Sequence, residues 1–215
     1  LYDAALIADD LNNTSTDEEF EAIDDKLGFI TPILKGFFTE LGIEAANQGM
    51  QVFGGPGYIQ EGGVEQIARV VRIPSMYEGT TGIQGLDFLG RKIIIDKFKQ
   101  YLAFNKRILC LYKEILQSPY KKQMLRFIGP LMMYQLRWQK VLLKILWRGR
   151  KNRDAVGGAT YDFLMFSGYL TTAFYFTKMS LASYKALDKG GVNEADFYTS
   201  KLQTADFYFQ RLLPH

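Results

Sequence analysis

Residues Gln51–Gln84 read QVFGGPGYIQEGGVEQIARVVRIPSMYEGTTGIQ, a polar, glycine-rich interruption between long stretches of helical periodicity. A helical protein spends glycine where backbone must approach something closely or turn with φ > 0. Gly54-Gly55-Pro56-Gly57 predicts a helix stop, as glycine followed by proline does. No Gly-Lys-Ser/Thr follows it and no strand precedes it, so it is neither a phosphate loop nor a dinucleotide fingerprint. Val64, Ile67, Ala68 and Val71 predict a short amphipathic helix, with Glu65, Gln66, Arg69 and Arg72 on its other side. Pro74 closes it. Tyr77-Glu78-Gly79-Thr80 follows, and Ile83, Leu86 and Leu89 mark a new helix capped by Thr80 or Thr81. Glu78 then sits just outside a helix N-terminus. A carboxylate there either complements the helix dipole in a turn or is a base in a cleft that glycines open to a flat ligand.

Upstream, Leu1, Ala4, Ala5, Ala8 and Leu11 predict a helix end, and residues 12–16 a loop. Ser15 with Glu18, or Thr16 with Glu19, forms a capping box for the next helix. Thr31-Pro32 reads as N-cap and first residue of a fresh helix. Its apolar residues Leu34, Phe37, Phe38, Leu41, Ala45, Ala46, Met50 and Phe53 recur at three- and four-residue steps. Gly36, Gly42 and Gly49 inside it each cost a helix roughly 1 kcal/mol against Ala, and close helix–helix packing is the usual reason for them.

Downstream, Arg91–Gln117 predicts one long amphipathic helix, and Ser118-Pro119 the cap and start of another, with a kink at Pro130. Residues 131–150 present Arg137, Lys140, Lys144 and Arg148 along one stripe, with Trp138 and Trp147 nearby. This suits a solvated face, a membrane-surface helix or a nucleic-acid patch. Residues 152–158 read as a loop. Tyr161–Leu187 reads as a buried central helix, because its uncharged core, residues 163–177, is short of the ~20 residues a bilayer needs. Lys189-Gly190-Gly191 ends it, and Glu194–Leu213 forms the last helix. Cys110 and the Phe/Tyr stripes of this region are expected in the core.

The 215 residues, 47% hydrophobic and 23% charged, describe an ordinary globular chain able to bury a core. One cysteine rules out an internal disulfide framework and fits a reducing compartment; with the one histidine last in the chain, His215, no usual zinc ligand set is available. The net charge of +3 hides an asymmetry: residues 1–25 hold nine acids and no Lys or Arg, while residues 115–153 hold ten bases and no acid. No long strand pattern appears, so the fold is expected to be all-α. Beginning Leu-Tyr-Asp without a leader pattern, the chain reads as part of a longer protein.

Taken together, Gln51-Val-Phe-Gly-Gly-Pro-Gly-Tyr58, Glu65, Arg69, Arg72-Ile73, Tyr77-Glu78-Gly79-Thr80 and Ile83-Gln84 resemble, without a gap, the C-terminal domain of acyl-CoA dehydrogenases. The rest resembles this family more weakly, including the helical extension of long bacterial members. The resemblance implies residues 1–90 as the latter part of the helical bundle domain and 91–215 as the extension. It implies oxidation of an acyl-CoA thioester to the trans-2-enoyl thioester, as in fatty acid β-oxidation. Glu78 would be the general base, a desolvated carboxylate that takes the α-proton, and FAD would receive the β-hydrogen as hydride. Gln51 and Gly55 would face the FAD of a neighbouring subunit and Thr80 that of the same subunit, with Gly54 and Gln84 as further FAD contacts, while Gly79 and Tyr77 line the thioester and acyl pocket.

The resemblance further implies a homo-oligomer, electron-transfer flavoprotein as electron acceptor and a cytoplasmic location, with membrane-surface or nucleic-acid contact through basic residues 121–153 as a further expectation. Two positions depart from the pattern: Val70 stands where Asp is frequent, and Gly82 where a polar FAD contact is common. The family's preceding helical and β-barrel portions are absent, so the piece by itself is expected to hold FAD poorly and be inactive. A binding module, or a purely oligomerising domain, is the alternative reading.

Overall fold

A computed structural model describes residues 1–189 and 194–214, and among them every element is helical. Gly190, Gly191 and His215, named above, lie outside the described residues. In chain order the helices are α1 (Tyr2–Asn12), α2 (Asp17–Phe53), α3 (Gly55–Tyr58), α4 (Val64–Val70), α5 (Thr81–Leu86), α6 (Lys99–Gln117), α7 (Lys121–Gly149), α8 (Asp154–Asp188) and α9 (Ala195–Phe207). Wider π-helical turns continue α5 over Asp87–Ile95 and α9 over Tyr208–Leu212. By contacts the chain forms two compact units: residues 1–101 with 148–165, and residues 102–147 with 166 onward. This differs from the division at 90/91 because the first turns of α8 pack with the N-terminal segment.

In the first unit α2 is the frame. Thr16 caps it, its Oγ1 accepting the Glu19 N–H at 3.3 Å, as the capping box predicts. The expected break at Thr31-Pro32 does not occur: α2 runs unbroken for 37 residues with Pro32 inside it. Thr31 does not cap but donates its hydroxyl back to Leu27 O at 2.8 Å. An interior proline costs a helix ~3 kcal/mol. Here Pro32 is buried, and Phe29, Ile30, Ile33 and Phe37 around it are buried as well. Phe29 packs on Phe88, and Phe88 stacks on Phe163, so apolar burial outweighs the lost hydrogen bond.

The glycines of α2 divide. A Cβ at Gly36 would meet Leu164 Cδ2 at 2.5 Å, so its smoothness is needed; at Gly42 and Gly49 nothing lies within 4 Å, against the packing explanation. The expected helix from Arg91 to Gln117 is interrupted at Lys97 and Phe98, with φ of 51° and 67°. Asp96 causes the restart, its carboxylate accepting the Gln100 N–H at 2.8 Å as a cap for α6.

In the second unit α6, α7 and most of α8 bury Ile108, Ile115, Met124, Phe127, Leu131 and Leu170. A polar cluster threads this core: Tyr112 Oη donates to Gln135 Oε1 at 3.0 Å, and the Gln135 and Gln139 amides donate to Asn105 Oδ1 at 2.9 and 2.8 Å. Burial pushes the Tyr112 phenol well above its usual range. Three further expectations are corrected. Ser118 donates to Ile115 O rather than capping α7, which starts at Lys121. Trp138 is buried and donates its Nε1–H to Ser167 Oγ at 2.7 Å, so it belongs to the core and not to the basic surface. Cys110 is exposed.

The central helix α8 starts at Asp154, inside the expected loop, because Asn152 Oδ1 accepts the Asp154 N–H at 2.9 Å and caps it. No described helix is long and apolar enough to cross a membrane.

The two kinds of glycine make a paired stability prediction. A Cβ at Gly85 would lie 2.9 Å from the Thr160 carbonyl carbon and oxygen, which are backbone and cannot step aside. Gly85→Ala is expected to destabilise the chain by about 1–3 kcal/mol, and Gly42→Ala to stabilise it by about 0.5–1 kcal/mol. Urea denaturation followed by circular dichroism reads both.

Candidate functional site

Pro74 ends α4's continuation in a single 3₁₀ turn, Ile73–Ser75, and the chain then makes one tight reversal before α5. Glu78 sits in it at φ 55° and Gly79 at φ 93°. Left-handed backbone costs a non-glycine residue roughly 1–2 kcal/mol, and it persists only where the surroundings over-determine it. Two side chains do so here. Lys35, from α2, donates to the carbonyls of Pro74, Tyr77 (2.9 Å) and Gly79 (3.0 Å). Its ammonium also faces the Tyr77 ring at 5.7 Å. Gln84, from α5, donates its amide to Glu78 O at 3.4 Å.

A second tie fixes the start of α5. Thr81 Oγ1 donates to Glu40 Oε1 at 2.6 Å. Thr80 stands at the N-cap, as expected, yet its hydroxyl makes no cap hydrogen bond. Lys35 and Glu40 were not singled out by sequence reasoning, and Thr81 entered only as an alternative cap. Nothing in the periodicity of α2 distinguishes Lys35 from a solvated lysine until the turn it holds is in view.

Glu78, Gly79, Ile83, Gln84, Asp87 and Arg91 line a cavity of about 380 Å³, the last two joined as an ion pair. Glu78 is exposed in this chain, so the desolvation expected of a base is not supplied by its own helices. Tyr77 is 48% exposed. The structure therefore brings Tyr77, Glu78, Gly79, Thr80 and Gln84 together in one turn and the helix that follows it.

Gln51, Gly54 and Gly55 form a separate patch at the end of α2. Gly54 closes the helix at φ 64°, and a Cβ at Gly54 or Gly55 would meet nothing within 4 Å. This leaves an open backbone edge that a flat ring system can approach, which fits the flavin role the resemblance implies. Beside it a groove of about 700 Å³ runs between α2 and α4, bordered by Asn47, Met50, Tyr58, Arg69 and Arg72. Arg69 is paired with Glu65 at 3.0 Å. No group of His, Cys, Asp and Glu side chains that could hold a metal ion occurs among the described residues.

Residues 16–93 match the family model described as acyl-CoA dehydrogenase, C-terminal domain, and residues 104–215 the one described as acetyl-CoA dehydrogenase C-terminal like. The chain is similar to 3-methylmercaptopropionyl-CoA dehydrogenase of Ruegeria pomeroyi, 34% identical over 86% of this chain and 31% of that protein. It is also similar to the broad-specificity linear acyl-CoA dehydrogenase FadE5 of Mycobacterium tuberculosis, 29% identical over 85% of this chain and 31% of that protein. It thus spans about a third of the length of these curated relatives. The crystal structure of Caenorhabditis elegans ACDH-11 in complex with C11-CoA superposes with a TM-score of 0.62 at 20% identity, covering 91% of this chain and 30% of that one; at that identity the likeness is one of fold.

The strained turn predicts an inverted order of stability at position 78. At φ 55°, Glu78→Gly is expected to be more stable than Glu78→Ala by about 1 kcal/mol. In an ordinary helix interior glycine is the less stable of the two. Thermal unfolding of both variants tests this.

Proposed function

The chain belongs to the acyl-CoA dehydrogenase family, and on that premise we propose that it carries the base-bearing half of a flavin-dependent acyl-CoA dehydrogenase site. Glu78 accepts the α-proton of an acyl-CoA thioester on a carboxylate oxygen as the trans-2-enoyl thioester forms. Gly79 passes beside the thioester, and Tyr77 walls the acyl chain. Thr80 contacts the FAD of the same subunit, Gln51 and Gly55 that of a neighbouring one, and Gly54 and Gln84 complete the flavin contacts. Bound FAD supplies the two-electron acceptor for the β-hydrogen, and electron-transfer flavoprotein is the proposed onward acceptor.

The observation that carries this reading is the position of Glu78. It is a carboxylate held in a left-handed turn by two side chains, at the edge of a cavity. A residue that only complemented a helix dipole would need none of that scaffolding. Exposed apolar side chains flank both patches: Met76 and Ile83 near the Glu78 turn, and Val52, Phe53, Tyr58 and Ile59 near the Gln51–Gly55 edge. Exposed apolar surface on this scale belongs to an interface. In the complete enzyme the remainder of the protein and the neighbouring subunit cover it and keep water from Glu78.

A second reading concerns α7. Leu136, Leu143 and Trp147 are 60%, 67% and 62% exposed, interleaved with exposed Arg137, Lys140 and Lys144. With Phe127 and Trp138 buried and Tyr134 half-buried, Trp147 is the one exposed aromatic of this helix, so the face suits the surface of an anionic membrane better than nucleic acid. The enzyme is then cytoplasmic and peripheral at a membrane.

Two measurements follow. In the flavin-loaded enzyme, Glu78→Gln is expected to abolish exchange of the substrate α-proton with solvent while the flavin spectrum persists; exchange at the unmodified rate removes Glu78 from the mechanism. Flotation with phosphatidylglycerol vesicles is expected to retain the protein at low salt and lose it at high salt, with phosphatidylcholine vesicles inert. Equal behaviour on both lipids excludes the membrane reading.

A further inference from the structure

The geometry points to Lys35 as a positioning residue for the catalytic step, the device that sets where the Glu78 carboxylate points. This inference rests on the reading of Glu78 as the base.

A lysine ammonium has three N–H donors and no acceptor. Lys35 directs them at three carbonyls, those of Pro74, Tyr77 and Gly79. Among the described residues it makes no ion pair, and its side chain is partly buried. The carbonyls of Tyr77 and Gly79 belong to the peptide planes before Glu78 and after Gly79. The plane between them is held by Gln84 through Glu78 O at 3.4 Å. Three consecutive peptide planes are therefore each tied to a side chain of a flanking helix.

The described peptides are trans, so each N–H points opposite to the carbonyl of its own plane. With the Tyr77 and Gly79 carbonyls turned toward Lys35, the N–H groups of Glu78 and Thr80 are turned away from it. Fixing these planes fixes the left-handed φ of Glu78, and with it the direction of the Cα–Cβ bond that carries the carboxylate. Without Lys35 the carbonyls of Tyr77 and Gly79 lose their only side-chain donor in the described structure. The turn is then free to relax toward the right-handed basin, which swings the carboxylate.

A proton-transfer distance misplaced by 1 Å costs on the order of 10²-fold in rate. Lys35 touches neither proton nor acceptor, so it acts through the turn that carries Glu78.

The test uses the flavin-loaded enzyme and a linear acyl-CoA that the unmodified enzyme turns over. Lys35→Met is expected to lower kcat about 10²-fold with KM within about threefold. The flavin spectrum should be unchanged, and the isotope effect with 2,2-dideuterated substrate larger, because proton removal becomes more fully rate-limiting.

Lys35→Arg keeps the charge but spreads its donors in a planar fork that cannot meet three carbonyls converging on one point. It is expected to lose kcat as well, and it serves as the deciding variant if Lys35→Met does not fold. In Lys35→Ala, added n-propylammonium is expected to restore turnover, while tetramethylammonium, which has charge but no N–H, does not.

Unmodified kcat in Lys35→Met or Lys35→Arg, with Glu78→Gln inactive, overturns the role of Lys35 and leaves the proposed function standing. Loss of kcat that comes only with loss of flavin, and that propylammonium does not restore, also overturns it. An active Glu78→Gln overturns both, since no base is then left to position.

Discussion

The unbroken course of α2 from Lys35 to Gln51 is the constraint on which the site depends. A helix rises 1.5 Å per residue, so the 16 residues from Lys35 to Gln51 set the clamp of the Glu78 turn roughly 24 Å from the Gln51–Gly55 edge. Both patches are mounted on one rod, and a kink at Pro32 would move the frame but not their spacing. What stabilises the rod against its proline is apolar burial by Phe29, Ile30, Ile33 and Phe37, backed by the rings of Phe88 and Phe163.

Polar groups in this protein are used in two distinct ways. In the first unit, single side chains reach across to tie a loop: Lys35 to the carbonyls around Glu78, Glu40 to Thr81, Asp25 to Lys99 at 2.6 Å. In the second, buried amides and hydroxyls pair inside the core, through Asn105, Gln135, Tyr112 and the Trp138–Ser167 contact. A partly satisfied network of this kind would be costly in a low-dielectric interior, and each of these groups has its partner. The first arrangement aims a reactive group; the second selects one register for helices whose apolar faces alone would tolerate several.

Much of the fold was legible along the chain. The all-α character, the stop at Gly54, the cap at Thr16 and the short helix at 64–70 all follow from local rules of propensity and capping. The errors fell where a local rule met a non-local force. Pro32 and the glycines at 157 and 158 read as breaks because propensity disfavours them in helices, yet packing around Pro32 and the Asn152 cap before Asp154 carry helix through both. Asp96 went the other way: the apolar periodicity runs smoothly across it, and the left-handed backbone of Lys97 and Phe98 with the capping bond to Gln100 shows that the helix ends and restarts.

For the site, the residue types and spacing of Tyr77-Glu78-Gly79-Thr80 and of Gln51–Gly55 were enough to mark a candidate base and a candidate cofactor edge, because both are short-range motifs. The conformation of Glu78 was beyond such reading, since a left-handed glutamate is unfavourable by itself and depends on Lys35, 43 positions away. The exposure of Glu78 was equally hidden, because solvation is set by whatever surfaces surround a residue and not by its neighbours in sequence. Chemistry could be read from the identity of a few residues. The direction in which that chemistry points was decided by tertiary contacts, where long-range hydrogen bonds overrule local backbone preference.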